Sequence, residues 1–159
     1  MVFRKHGKTL TKILTNTENI VIKNKVNLLH QKLSYEIRGI AFEVKKNYGS
    51  GHKEILYQRA YAEELTLRKI KYEKEKAIKI YSPKTGKIMG SYQPDFIVED
   101  KIIVELKALE LMPLNMIDQL YSYLRNSKYE LGFFINFNSN GANIKRVIYT
   151  NDKKDWLNL

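Results

Sequence analysis

The chain has 159 residues and 18.7 kDa, and its 28 Lys and Arg stand against 17 Asp and Glu, a formal charge of +11. This length suits one domain with a real core, and the absence of cysteine excludes a disulfide framework or a thiolate metal site. No apolar run approaches the roughly 18–20 residues of a membrane span, and MVFRKHGKTLTK lacks the apolar segment of a secretory signal. No membrane partner is therefore expected, and a cytoplasmic setting is.

Residues 1–33 carry seven Lys or Arg against Glu18 alone. With weak periodicity, residues 1–25 read as a basic arm suited to a polyanion, whose neutralised phosphates release counterions. A Lys-rich solvated surface is the ordinary alternative. From about 26 to 47, Val26, Leu29, Leu33, Ile37, Ile40 and Val44 recur at helical steps and predict an amphipathic helix. Gly49-Ser50-Gly51 ends it. A second helix over about 52–70 aligns Glu54, Tyr57, Tyr61 and Leu65 on one stripe, which makes Glu54 the acidic end of an inward-looking face.

Residues 75–82 alternate as a strand, and Pro83 to Gly86 form a turn. A second strand is expected over 87–98 and a third over 101–107. Pro113 suits the first position of a helix running to about 126. LGFFINF (131–137) reads as a fully buried strand, Asn138 to Gly141 as a turn, and 145–149 as a last strand. The tail, 151–159, is expected to pack Trp156 and leave its charges in water. The order predicts one α/β domain over 26–150 around a central mixed sheet. No GxGxxG or Walker loop is present.

The chemistry concentrates in PDFIVEDKIIVELKA, residues 94–108. Strand alternation puts Glu105 and Lys107 on one face, with Val104 and Leu106 on the other. If Glu99-Asp100-Lys101 form a three-residue loop, Val98 pairs with Ile102 and Asp95 lies opposite Glu105. A two-residue turn would instead set Asp95 against Val104. The first register is adopted here because it sends Phe96, Val98, Val104 and Leu106 to a common face. It also opposes two like charges in apolar sequence, which is costly. A hard cation such as Mg²⁺ or Mn²⁺ relieves that conflict, with Asp95, Glu105 and the Leu106 backbone carbonyl as ligands and Glu54 completing the set or positioning a second ion. Lys107 would orient a water or stabilise phosphoryl charge. An exposed Glu105–Lys107 ion pair is the plain alternative.

These residues resemble the PD-(D/E)xK nuclease superfamily, and more closely its small GxxExxY family. That naming motif stands here as Gly51-His52-Lys53-Glu54-Ile55-Leu56-Tyr57. Further matches are Glu64-Leu65, Asp95-Phe96, Glu105-Leu106-Lys107-Ala108, Gln119 with Tyr123-Leu124, Asn136-Phe137 and Arg146. The resemblance spans about 34–150. It implies a restriction-endonuclease-like three-layer core and metal-dependent phosphodiester hydrolysis. It also implies an active-site set of Glu54, Asp95, Glu105 and Lys107, with Gln119 as a supporting glutamine. One departure is Lys45, where members of that family often carry histidine; a protonated lysine cannot bind metal. His52 reads as a surface residue, and His6 and His30 show no ligand spacing.

Two functions are carried forward: a nuclease acting on DNA in preference to RNA, and a nucleic-acid-binding module without turnover. Tyr48, Tyr57, Tyr61, Tyr72 and Tyr92 interleave with bases and could stack on unpaired nucleobases, although tyrosines at these spacings ordinarily pack. The oligomeric state is left open, a homodimer included.

Overall fold

Ile37, Ile40, Ala41 and Val44, spaced as one helical stripe, are all fully buried in α1 (Gln31–Tyr48) of the computed structural model, which describes residues 28–159. The expected arm over 1–25 lies outside the described residues, as do positions 26 and 27 of the expected first helix, while 29 and 30 form a turn, so that α1 starts at Gln31. Gly49 and Gly51 take positive φ, 70° and 85°, conformations glycine adopts without a Cβ penalty. They turn the chain into α2 (Glu54–Leu67), whose Tyr57, Tyr61 and Leu65 are fully buried.

The strands are β1 (Tyr72–Lys74), β2 (Ile78–Tyr81), β3 (Ile88–Tyr92), β4 (Phe96–Val98) and β5 (Ile102–Lys107). After α3 (Asn115–Arg125) come β6 (Leu131–Asn138) and β7 (Gly141–Ile148). The main sheet has the order β1-β4-β5-β6-β7. Only β5 and β6 run parallel within it, and α3 makes the crossover that a parallel pair requires. Strands β2 and β3 form a separate two-stranded sheet. The expected mixed sheet flanked by helices is thus found.

Alternation sorts the core into two layers. Tyr57 of α2 stacks on Phe137 at 4.5 Å and Tyr61 approaches Phe96 at 5.5 Å, so this face holds α2. On the opposite face, Ile97, Ile103 and Phe134 pack with Leu120 and Leu124 of α3. All eight residues of β6 are buried, as a strand covered on both sides must be.

Four expectations need correction. The stretch 87–98 is two strands in different sheets, divided at Gln93-Pro94, because proline has no N–H to continue a ladder. The stretch 75–82 likewise yields only β2, with β1 preceding it across a turn at Glu75 (φ 50°). Strand β7 begins at Gly141, not 145, and pairs along its whole length with β6. Pro113 stands before the helix, its carbonyl accepting from Met116 N–H at 3.2 Å.

In the tail, Trp156 is buried and stacks on Tyr81 at 4.7 Å. Lys154, however, is buried too, donating to the carbonyls of Ser127 at 2.8 Å and Tyr129 at 2.7 Å. Desolvation pulls its ammonium down to about 8. Two carbonyl acceptors inside the fold outweigh the preference of that charge for water.

Gly132 of β6 lies under α3: a Cβ there would stand 3.1 Å from both Leu120 Cδ atoms, in a site where Leu120 is 2% exposed. We expect Gly132→Ala to destabilise the domain by about 1–3 kcal/mol in urea unfolding. Adding Leu120→Ala should relieve part of that strain, giving a favourable coupling in the double-mutant cycle.

Candidate active site

The β4–β5 hairpin positions the site. Its register is Phe96↔Val104, Ile97↔Ile103 and Val98↔Ile102, which carried one step further sets Asp95 against Glu105, as the sequence suggests. The loop is fixed from both sides. Glu99 and Asp100 adopt positive φ of 53° and 51°, an uncommon conformation for these residues that needs support. Lys101 N–H donates to Val98 O at 3.0 Å, and Glu99 exchanges hydrogen bonds with the Lys71 backbone, 2.9 Å each. Asp100 accepts from Tyr129 Oη at 2.8 Å and from Lys128 at 3.0 Å, contacts that lower its pKa.

Alternation from Ile97 and Ile103 places Asp95, Glu105 and Lys107 on the α3 face of the sheet. Glu54, the first residue of α2, reaches the same place. Its Oε1 accepts from Lys107 Nζ at 3.2 Å. Gln58, one turn on, donates to Glu54 Oε1 at 3.2 Å and to Asp95 Oδ1 at 3.0 Å. The other oxygen of Asp95 accepts from Leu106 N–H at 2.7 Å. Tyr92 Oη donates to Glu105 Oε1. Glu54, Asp95 and Lys107 are thus joined through Gln58, and Glu105, held by Tyr92, lies within reach of the Lys107 and Glu54 charges. Lys107 pairs with Glu54 in preference to the Glu105 partner of the plain alternative.

Burial dominates the electrostatics. Desolvation raises Glu105 to about 7, against lowering by the Lys107 charge. Asp95 is also raised by burial, opposed by the Leu106 N–H and by Lys107. Two desolvated carboxylates face to face cannot both ionise cheaply without added positive charge. Among the described residues, no three His, Asp or Glu side chains already converge as a metal cage. The all-oxygen donor set and the under-compensated charge nevertheless fit a hard divalent cation.

Other candidates fall outside this set. Gln119 is exposed on α3 and donates to Tyr123 Oη at 2.9 Å. It reaches the site only through the stack of Tyr123 on Tyr92, 3.5 Å between ring centres. Lys45 donates to Asn138 O at 2.5 Å and to Ser50 Oγ. His52 Nε2–H donates to the Tyr48 carbonyl at 2.8 Å, closing the end of α1, and His6 lies outside the described residues. Of the tyrosines considered for base stacking, Tyr57 and Tyr61 are fully buried. Tyr72 meets Phe96 edge-on and Tyr92 is covered by Tyr123, leaving Tyr48 exposed. Packing won at four of the five.

Sequence reasoning missed Gln58 and the role of Tyr92. Gln58 had a usable signal, since it lies four residues after Glu54 and therefore one helical turn above it. Tyr92 had none, because it belongs to another sheet. Asn136, buried on β6, holds the chain beyond Lys107 by accepting from Leu109 N–H at 2.9 Å and donating to Leu109 O at 2.7 Å.

A family profile for the PD-(D/E)XK nuclease superfamily matches residues 31–147, and the chain belongs to that superfamily. Its members are nucleases that typically use divalent metals. Neither curated proteins nor solved structures gave a match.

Because the folded Glu105 carboxyl holds its proton to about pH 7 and an unfolded one releases it near 4.5, its contribution to stability is fully present below that lower value. It is lost as pH rises through 7. In urea titrations without divalent ions, Glu105→Gln should therefore exceed wild type by roughly 1–3 kcal/mol at pH 8 and match it near pH 4.5. An equal advantage at both values would contradict the desolvation account.

Proposed function

We propose that this protein is a divalent-metal-dependent nuclease that hydrolyses phosphodiester bonds, with DNA as its preferred substrate. The observation that carries the reading is the linkage of Glu54, Asp95, Glu105 and Lys107 around one buried, charge-frustrated hairpin end. Asp95, Glu105, the Leu106 carbonyl and Glu54 would hold Mg²⁺ or Mn²⁺. When bound, the cation supplies Lewis-acid polarisation of the scissile phosphate and a lowered pKa for water. Tyr92 and the Leu106 N–H orient the two carboxylates, and Gln58 ties Glu54 to Asp95. Lys107, its side chain 27% exposed, presents an ammonium toward the incoming phosphate, where it stabilises developing charge. Gln119 acts at one remove, by fixing Tyr123 against Tyr92. The narrower GxxExxY assignment rests on the sequence motif at Gly51 to Tyr57.

A second reading, a nucleic-acid-binding module without turnover, draws support from Lys45. It occupies the family's usual histidine position with its ammonium committed to Asn138 and Ser50.

The deciding assay offers circular, linear and single-stranded DNA and RNA with Mg²⁺, Mn²⁺ or chelator. Lys107→Ala and Asp95→Ala should each lower cleavage by at least about 100-fold, and chelator should abolish it, while nucleic-acid affinity is retained. Cleavage that survives both substitutions would remove these residues from the active site.

A further inference from the structure

The β2–β3 ribbon shares no ladder with the main sheet, and its charge is one-sided. From Lys76 to Pro94 the chain has four lysines and not one Asp or Glu. Lys76 is paired with Glu73. Lys79, Lys84 and Lys87 are exposed, with no partner for their ammonium groups among the described residues.

The ribbon is held rigidly from one side. Ile78 and Tyr92 pair across it and face inward, Ile78 into the core under α3 and Tyr92 onto Tyr123. The edge of β2 is closed where Tyr81 N–H donates to Asn126 O at 2.8 Å. The tip is pinned by Ser82 N–H to Lys87 O at 2.8 Å and by Gly86 at φ 66°, packed against Leu159. The opposite face and the β3 edge are open: Lys79 pairs with Ser91 there, and residues 88–91 are all exposed, Met89 at 71%.

We propose that this ribbon is a groove-binding element that seats in the major groove of B-form duplex DNA. Two strands about 5 Å apart with their side chains fit a groove about 12 Å wide, whereas the major groove of A-form RNA is too deep and narrow to admit them. Lys79, Lys84 and Lys87 supply phosphate contacts along the groove walls. Met89 and Ser91 face the base edges. The ribbon ends on Tyr92, whose hydroxyl touches Glu105, so the chain that carries the open lysine face runs directly into the candidate centre. The identity of the cleaved substrate rests on the nuclease reading; the binding itself does not.

The test uses the full-length protein carrying Lys79→Gln, Lys84→Gln and Lys87→Gln, all surface changes, and separately Met89→Glu. Anisotropy with a 20-base-pair DNA duplex, matched duplex RNA and single-stranded DNA is measured in chelator across a salt series. The triple variant should bind duplex DNA at least about tenfold more weakly, with the salt slope reduced by about 0.9 for each phosphate no longer neutralised. Met89→Glu should also weaken it, while hydrolysis of a small chromogenic phosphodiester is unchanged. Unaltered duplex affinity, or equal losses on all three nucleic acids, would overturn the groove assignment. Wild-type protein that binds duplex through the ribbon yet cleaves nothing would overturn the nuclease reading and leave this one standing.

Discussion

The rest of the site depends on the register of one hairpin. Lys101 is the extra residue that makes the β4–β5 loop odd, so Val98 faces Ile102 and Phe96 faces Val104, a register that, carried one step further, sets Asp95 against Glu105. A slip by one residue would turn Asp95, or the apolar set around it, to the wrong face of a sheet buried on both sides. The loop resists that slip because its two left-handed residues are held by partners distant in sequence. Asp100 is held by Tyr129 and Lys128, and Glu99 by the backbone of Lys71. The strain at Glu99 and Asp100 is thus balanced by contacts from the residue before β1 and from the approach to β6.

That register imposes a cost, two carboxylates in a desolvated strand pair, and the surrounding residues distribute it. Asp95 accepts hydrogen bonds from the neutral donors Leu106 N–H and Gln58, and Glu105 accepts one from Tyr92. The ammonium of Lys107 hydrogen-bonds Glu54 instead. Neutral donors orient a carboxylate without cancelling its charge, so the burial that raises Glu105 to about 7 is opposed only in part, chiefly by the Lys107 charge. The site is organised yet electrostatically incomplete, the condition in which a cation binds with most effect.

Much of this was legible because the signals were local. Helical spacing marked Tyr57, Tyr61 and Leu65 as core, and the unbroken apolar run marked β6 as a doubly covered strand. The hairpin register followed from asking which loop length kept Phe96, Val98, Val104 and Leu106 on one face. What escaped was non-local. Lys154 looks like a tail charge until the fold brings the carbonyls of Ser127 and Tyr129 around its ammonium. The early start of β7 could not be read from Gly141-Ala142-Asn143, residues of weak strand propensity, because the intact edge of β6 recruits them. Tyr92 had no sequence cue toward Glu105 at all.

Pro94 explains how Tyr92 and Asp95 come to serve the same site. Residues 87–98 alternate as if for one strand, but an uninterrupted strand would carry Tyr92 and Asp95 on opposite faces of one sheet. Proline breaks the ladder, and the chain leaves the ribbon at Tyr92 and enters the main sheet at Phe96. Across that break, Gln93 is anchored to the carbonyl of Glu75, and Glu75 N–H donates to Asp95 O at 3.1 Å. Both residues flanking the break then point at Glu105, one as a neutral donor and the other as a facing carboxylate. A single imino acid thereby converts one strand pattern into two sheets, and the position where they part is where the carboxylates gather.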